Sequence, residues 1–509
     1  MSTRRLFIDD RHIRTMSRLI RTFHQAEKHP ANPLLVADLP WERSVGHNHG
    51  TVIFDDGRFR LWYLVNAVIS EAHGTNHCAY AESTDGISWS KPNLGLVTVN
   101  GASENNLVML DTLQANVVKD DHDPDGARRF KLLYYGSGKE KPGVHPDSMG
   151  KDGYWGWCVA FSPDGFNWTR EPENPVYTAV GDEGSCFGWD ENEGKYVAFL
   201  RPCMWKPGHE LRESVTWDPI EVGLHGWYKG APAPVDDKMR QFPHQRLIGR
   251  TTSEDFVNWE PTSTALAMDD LDPPAAEFYS MSAFPYQGWM IGLLYVLYGD
   301  PEESLIRKKG LMDTQLVASR DGIDWLRLGH RQPFIPRGER GSFDMGMVGP
   351  NSGMAERDGK LWFYYNGWSG EHRETKAYRR LSDPGLFAMG RLCSGIGLAT
   401  LRQDGFISID AGDDEGVLET TAEAVSGRQL VVNAVTSGNG EIRIEVLDRE
   451  GSVLPGFATE SCAPFQGNSV SHTVRWKESA LAGLEGDDYS FRFRMRQASL
   501  YAYTLNLSP

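Results

Sequence analysis

Glu183 and Glu277 are the residues of this sequence with the most to offer chemically. Glu183 lies in Gly181-Asp182-Glu183-Gly184-Ser185, whose glycines leave the backbone open to a ligand, and Glu277 opens the run Glu277-Phe278-Tyr279-Ser280. Two carboxyl groups facing one sugar can cleave a glycosidic bond. One protonates the departing oxygen while the other acts as base or nucleophile. Asp182 and Asp344 join them as candidate catalytic carboxylates, although aspartate beside glycine or in an Arg-rich turn is also a turn former. His47-Asn48-His49 would set two imidazoles on the same face of a strand, a geometry suited to hydrogen-bonding sugar hydroxyls. A divalent ion there would need a third ligand that the sequence does not place nearby, so no cofactor is expected. Gln114, Asn116, Arg201, Arg250, Tyr279 and Asn351 complete the expected substrate contacts, and either arginine could instead neutralise the acids.

Residues so far apart in sequence meet only if the fold brings strand ends to one place, and two interleaved repeats predict such a fold. The first is S-x-D-G-x-x-W, at 83–89 (STDGISW), 162–168 (SPDGFNW), 253–259 (SEDFVNW) and 319–325 (SRDGIDW), with a degenerate copy at 402–408 (RQDGFIS). Asp-Gly favours the positive-φ turn of a tight hairpin, and the tryptophan falls where a strand can pack it between layers. The second is an aromatic strand ahead of each turn, at 58–65 (RFRLWYLV), 129–136 (RFKLLYYG), 195–201 (KYVAFLR), 289–298 (WMIGLLYVLY) and 360–367 (KLWFYYNG). Five strands followed by five turns predict an all-β chain built as a five-bladed β-propeller over residues 31–405. Its inner strands should start near His47, Gln114, Glu183, Tyr279 and Asn351 and face an axial channel.

Residues 1–30 are read as an N-terminal arm, with residues 5–10 available to close the ring against the last blade. After residue 405 the turns stop and alternating strands begin, which predicts a C-terminal β-sandwich over 406–509. Asp121, Asp123, Asp125 and Gly126 imitate the start of a calcium loop, but Leu132 stands where a bidentate glutamate is required, and a turn accounts for them all. Two long insertions, about 137–154 and 202–244, are placed to be lids or pocket walls.

The net charge of −17 over 509 residues argues against nucleic acid or an anionic membrane as partner, since either calls for a basic face. Six scattered cysteines without C-x-x-C spacing suggest neither zinc nor a disulfide framework. The first residues hold no apolar run, so a cytoplasmic location is expected.

With these repeats the chain resembles, over roughly residues 30–405, the five-bladed propeller glycoside hydrolases of families 32, 43, 62, 68 and 117. Residues 84–95 (TDGISWSKPNLG) are similar to a stretch of family-32-like bacterial proteins. The resemblance implies a glycoside hydrolase, with Glu183 near the position of the blade-three general acid. The blade-one W-M-N-D-P-N-G, the blade-two R-D-P and the blade-three Glu-Cys of family 32 are replaced here, the first by Gly46-His47-Asn48-His49-Gly50. The expected activity is therefore exo-acting hydrolysis of a small oligosaccharide or glycoside, the insertions narrowing the channel mouth into a pocket. A non-catalytic sugar-binding propeller is the alternative, as is a glycoside phosphorylase or lyase using Arg201, Arg250 or Lys229.

Overall fold

A computed structural model describes residues 4–46, 49–67, 76–99, 101–138, 149–150, 153–177, 181–201, 203–205, 244–273, 275–299, 310–372, 393–425, 428–477, 479–484 and 488–507. Among these residues the chain is nearly all β, without an α-helix, and no helix is long and apolar enough to cross a membrane.

Each aromatic segment is the second strand of an antiparallel sheet. Arg58–Ala67 lies between Thr51–Asp55 and Asn76–Ser83, and Phe130–Gly138 between Leu113–Lys119 and Gly153–Ser162. Lys195–Leu200 lies between Gly184–Asp190 and Ile248–Ser253, and Trp289–Gly299 between Ala276–Tyr286 and Gly310–Ser319. Lys360–Trp368 lies between Met347–Pro350 and Ser394–Arg402, in one ten-stranded sheet with the preceding group through the parallel pairing of Met312 with Met347.

Successive side chains of a strand face opposite ways, so a strand apolar on both faces needs two cores. Phe59, Leu61, Tyr63 and Val65 pack with Trp362, Tyr364 and Leu398 of the last group, whereas Trp62 packs with Phe130, Leu132 and Tyr134 of the second sheet. Leu133 and Tyr135 meet Tyr196, Ala198 and Leu200; Val197 and Phe199 meet Leu294 and Val296; Ile291 and Leu293 meet Leu361 and Phe363. Each middle strand thus joins the core behind it to the core ahead. Burial of a side chain such as Phe363, with none of its surface exposed, contributes roughly 1.5–3 kcal/mol.

The S-x-D-G-x-x-W segments are side-chain-capped turns rather than two-residue hairpins. Asp85 Oδ1 accepts the backbone N–H groups of Ile87 and Ser88 at 2.8 and 2.7 Å, and Ser83 Oγ accepts that of Gly86 at 2.8 Å. Asp164, Asp255 and Asp321 make the same pair of bonds to their second and third following residues. Gly86, Gly165 and Gly322 take φ of 77°, 82° and 72°, and Phe256 takes 69° in the copy that lacks glycine.

Each turn is received by the sheet before it. Tyr364 Oη donates to the Gly86 carbonyl and Trp62 Nε1 to that of Gly165, both at 2.8 Å, while Arg128 Nη2 donates to the Asp255 carbonyl at 2.6 Å. Tyr286 Oη donates to Asp404 Oδ1 of the degenerate copy at 2.6 Å. Arg250 packs against Gly322, its Nε 3.4 Å from where a Cβ would stand.

The innermost strands are tied in a ring. Thr51 Oγ1 donates to the Ala115 carbonyl at 2.8 Å, Asn116 Nδ2 to that of Gly184 at 3.0 Å, and Ser185 Oγ to that of Met281. Ser282 Oγ donates to the Asn351 carbonyl at 3.3 Å, and Ser352 N to that of Gly50 at 2.7 Å, returning to the start.

The N-terminal segment corrects the ring-closing expectation for residues 5–10. Arg5–Leu6 pairs with Ser490–Leu507 instead, and Ile13–Ser17 and Ile20–Phe23 pair with Gly416–Thr420 and Ile407–Ala411. Glu27–Lys28 is the piece that pairs with Ser394–Arg402. The reason is visible in Phe7, which is fully buried in the core shared by the C-terminal strands and the last two sheet groups. Residues after 405 therefore fold with the arm in one eight-stranded sheet. Its two long strands, Arg428–Leu447 and Ser490–Leu507, lose register between Thr436 and Glu441. There Gly440 comes so close to the Gln497 carbonyl that a Cβ would lie 2.4 Å from it.

Candidate active site

The ring sets the beginnings of the inner strands beside one another, and the acids stand there. Glu183 directly precedes Gly184–Asp190, Glu277 is the second residue of Ala276–Tyr286, and Gln114 is the second of Leu113–Lys119. Gln114 has φ of 75°, unusual for a residue with a side chain, within an irregular stretch of pairing between Leu113 and Asn116. That backbone aims its amide across to the third sheet: Nε2 donates to Glu183 Oε2 at 2.8 Å and to the Asp182 carbonyl at 3.0 Å.

Asp182 is held by Arg201, whose Nη2 lies 2.5 Å from Oδ1, and Glu277 by Arg246, whose Nη1 lies 2.6 Å from Oε2. Between the two pairs stands Tyr279. The Arg201 guanidinium carbon is 4.6 Å from its ring centre and that of Arg246 5.5 Å. Tyr279 Oη meets His372 Nε2 at 3.2 Å, and its ring meets that of Tyr295 edge-on. Burial pushes the Tyr279 hydroxyl far above its usual range, so it is a neutral donor. Glu183 is 2% exposed and Glu277 not at all.

These two carboxyl groups have unlike partners. A guanidinium at hydrogen-bond distance favours the charged form of Glu277, whereas the amide facing Glu183 is compatible with either form. His49 adjoins the cluster, its Nε2 2.7 Å from Ser280 Oγ. Burial first, and the nearby Arg201 charge as well, hold its pKa down to about 4, so the ring is neutral at pH 7.

Other expected residues fall elsewhere. His47 and Asn48 lie outside the described residues. Asp344 accepts bonds from Lys28 Nζ at 2.5 Å, Tyr365 Oη at 2.8 Å and Ser342 Oγ at 2.9 Å, so it fastens the Glu27–Lys28 strand rather than facing the acids. Arg250 pairs with Glu193 of the turn following Gly184–Asp190, which takes its charge away from Asp182 and Glu183. Asn116 and Asn351 are ring members: Asn116 Oδ1 accepts from Ser352, and Asn351 Oδ1 accepts from the Gly50 N–H and from Asn366. Tyr279, expected as a substrate contact, has the guanidinium groups of Arg201 and Arg246 over its ring. In the acidic loop, Lys131 Nζ occupies Asp120 and Asp123 at 3.0 and 2.8 Å. Among the described residues no group of three or more His, Cys, Asp or Glu could hold a metal ion.

Arg246, His372 and Tyr295 belong to the cluster without having been expected there. Arg246 follows a long insertion and matches no repeat, so the sequence carries no local signal for it. Asp313 was also passed over. Burial raises its pKa, and Tyr298 Oη donates to it at 3.0 Å.

No family model and no curated protein matches this chain. Among solved structures, it is similar to one described with the family 130 mannoside phosphorylases, said to contain glycoside hydrolases that target β-1,2 mannosidic linkages in Candida mannan. That likeness has 15% identity and a TM-score of 0.44, covering 75% of this chain and 94% of the other. A glycosyl hydrolase from Bacteroides ovatus is 14% identical with a TM-score of 0.43, over 75% and 94% of the two chains. A family 32 β-fructofuranosidase from Bombyx mori is 13% identical with a TM-score of 0.39, over 96% and 93%. Identities this low leave activity to be argued from the site itself.

Proposed function

We propose that this chain is a glycoside hydrolase whose active site is one mouth of a five-bladed β-propeller, with a C-terminal β-sandwich alongside. The five-blade reading is supported by the five inner strands tied in a ring and by the four capped turns with their degenerate fifth copy, the ten-stranded sheet being two blades joined at Met312 and Met347. The sandwich reading is supported by the eight-stranded sheet, whose two long strands lose register beside Gly440.

The observation that carries the activity is the pair of buried carboxyl groups, Glu183 and Glu277, on either side of Tyr279. Glu277, held ionised by Arg246, serves as base or nucleophile. Glu183, which accepts the Gln114 amide, carries the proton that the leaving oxygen takes. Asp182 and Arg201 keep that side of the mouth electrically balanced. Exo-action on a small oligosaccharide or glycoside belongs to the same proposal, on the strength of the insertions at 137–154 and 202–244, most of which lies outside the described residues.

The guanidinium groups of Arg201 and Arg246 favour one second reading, phosphorolysis, because they could receive phosphate. Turnover of a panel of glycosides and short oligosaccharides with and without inorganic phosphate decides between them. Release of free sugar at a rate indifferent to phosphate is expected. Strict dependence on phosphate would transfer the site to a phosphorylase, and binding without any turnover would make it a sugar-binding module.

A further inference from the structure

A second cleft lies far from the acids. It opens where the N-terminal arm, the turn between Ala276–Tyr286 and Trp289–Gly299, and the eight-stranded sheet come together, and it encloses about 1000 Å³. Glu277 and this turn stand at opposite ends of one strand, about 30 Å apart at the rise of an extended chain.

The wall of this cleft carries five arginines, Arg4, Arg5, Arg11, Arg320 and Arg428, with no aspartate or glutamate. In a chain with 69 acidic and 52 basic residues, such a surface needs a reason. Three of the arginines are held from behind. Arg4 pairs with Asp404 at 2.7 Å and with Glu356 at 3.2 Å, Arg5 with Glu423 at 2.5 Å and Arg320 with Asp9 at 3.0 Å. Arg11 and Arg428 make no ion pair with the described residues, and Arg428 Nη1 has only a long 3.3 Å bond to the Leu505 carbonyl. Thr504, Ser471 and Gln287 add hydroxyl and amide groups to the same wall.

We propose that this cleft binds an acidic saccharide, a glycan segment carrying carboxylate or sulfate groups. Fixed guanidiniums can donate paired N–H groups to two oxygens of a carboxylate or a sulfate, and the volume matches a ligand of several rings rather than a single inorganic ion. Hydroxyl and amide groups between the charges are what sugar hydroxyls require. The site is independent of the hydrolase assignment and would hold an acidic glycan while the channel mouth acts elsewhere on it.

Calorimetric titration of the full chain tests this with a galacturonate trisaccharide, a sulfated trisaccharide, a neutral trisaccharide of the same length, and inorganic phosphate. One or both acidic sugars should bind at least ten-fold tighter than the neutral sugar and than phosphate, with affinity falling as salt is raised. The double variant Arg11→Ala/Arg428→Ala, which removes exposed or half-exposed side chains, should lose that binding by about ten-fold or more while keeping its unfolding temperature and its glycoside turnover. Equal binding of the neutral sugar, equal binding of phosphate, or undiminished binding by the double variant would each overturn the proposal.

Discussion

The same functional group, a carboxylate, is used in two ways in this molecule. In the capped turns, Asp85, Asp164, Asp255 and Asp321 accept backbone N–H groups two and three residues ahead, so each turn carries its own instructions. At the starts of the inner strands, Asp182, Glu183 and Glu277 take side-chain partners from elsewhere in the chain, among them Gln114, which is 69 residues from Glu183. A carboxylate satisfied by its own neighbours is a structural acceptor. One satisfied by distant side chains in a buried cluster has a geometry that the whole ring must maintain.

The largest effect should come from breaking a mouth pair. Arg246→Ala leaves Glu277 buried without its guanidinium and should cost roughly 3–5 kcal/mol, read by chemical denaturation. A loss below about 1 kcal/mol would mean that the pair is not buried in solution.

The pH dependence separates the two groups next. Unfolded, His49 takes up a proton near 6.5; folded, only near 4, because burial opposes the charge. Its contribution is thus complete above pH 6.5 and is lost as pH falls toward 4, amounting to roughly 3 kcal/mol. His49→Gln should flatten that part of the stability curve. The turn carboxylates act lower. The Ser88 N–H bond leads in holding the Asp85 carboxyl below its usual range, and in Asp164 the Asn167 and Phe166 bonds outweigh an opposing burial effect. Their stabilisation is full above the usual carboxylate range and is lost as pH falls below that range through the lowered folded-state values.

Within the turns, Gly165→Ala should cost roughly 2–4 kcal/mol, since φ of 82° is strained for alanine and its Cβ would lie 2.6 Å from Trp62. Gly57→Ala, with φ of 77° and open space around it, should cost only about 1–2 kcal/mol. Equal losses at the two positions would deny that the turns are received by the preceding sheet. Asp164→Ala should cost the least, about 1 kcal/mol by analogy with lost helix caps.

This difference also explains what could be read from the sequence. The turns and their aromatic strands were legible because serine, aspartate and glycine make their bonds within a few residues, and so was the position of Glu183 and Glu277 at the starts of inner strands, which the repeat predicts. Arg246 was not, since a long insertion separates it from Lys195–Leu200 and nothing local selects it. Asp344 stood where a blade begins, yet Lys28, distant in sequence, claims it. Residues 5–10 looked available for ring closure, but the buried Phe7 draws them into the C-terminal core.

The central claim, that Glu183 gives up a proton while Glu277 works as an anion, is tested most directly by comparing the two glutamine variants on one sugar with good and poor leaving groups. Glu183→Gln should lose about two orders of magnitude or more on the poor leaving group and little on the activated one, which departs without protonation. Glu277→Gln should lose activity on both. Wild-type turnover of the poor substrate by either variant, or the same loss on both substrates for Glu183→Gln, would contradict it.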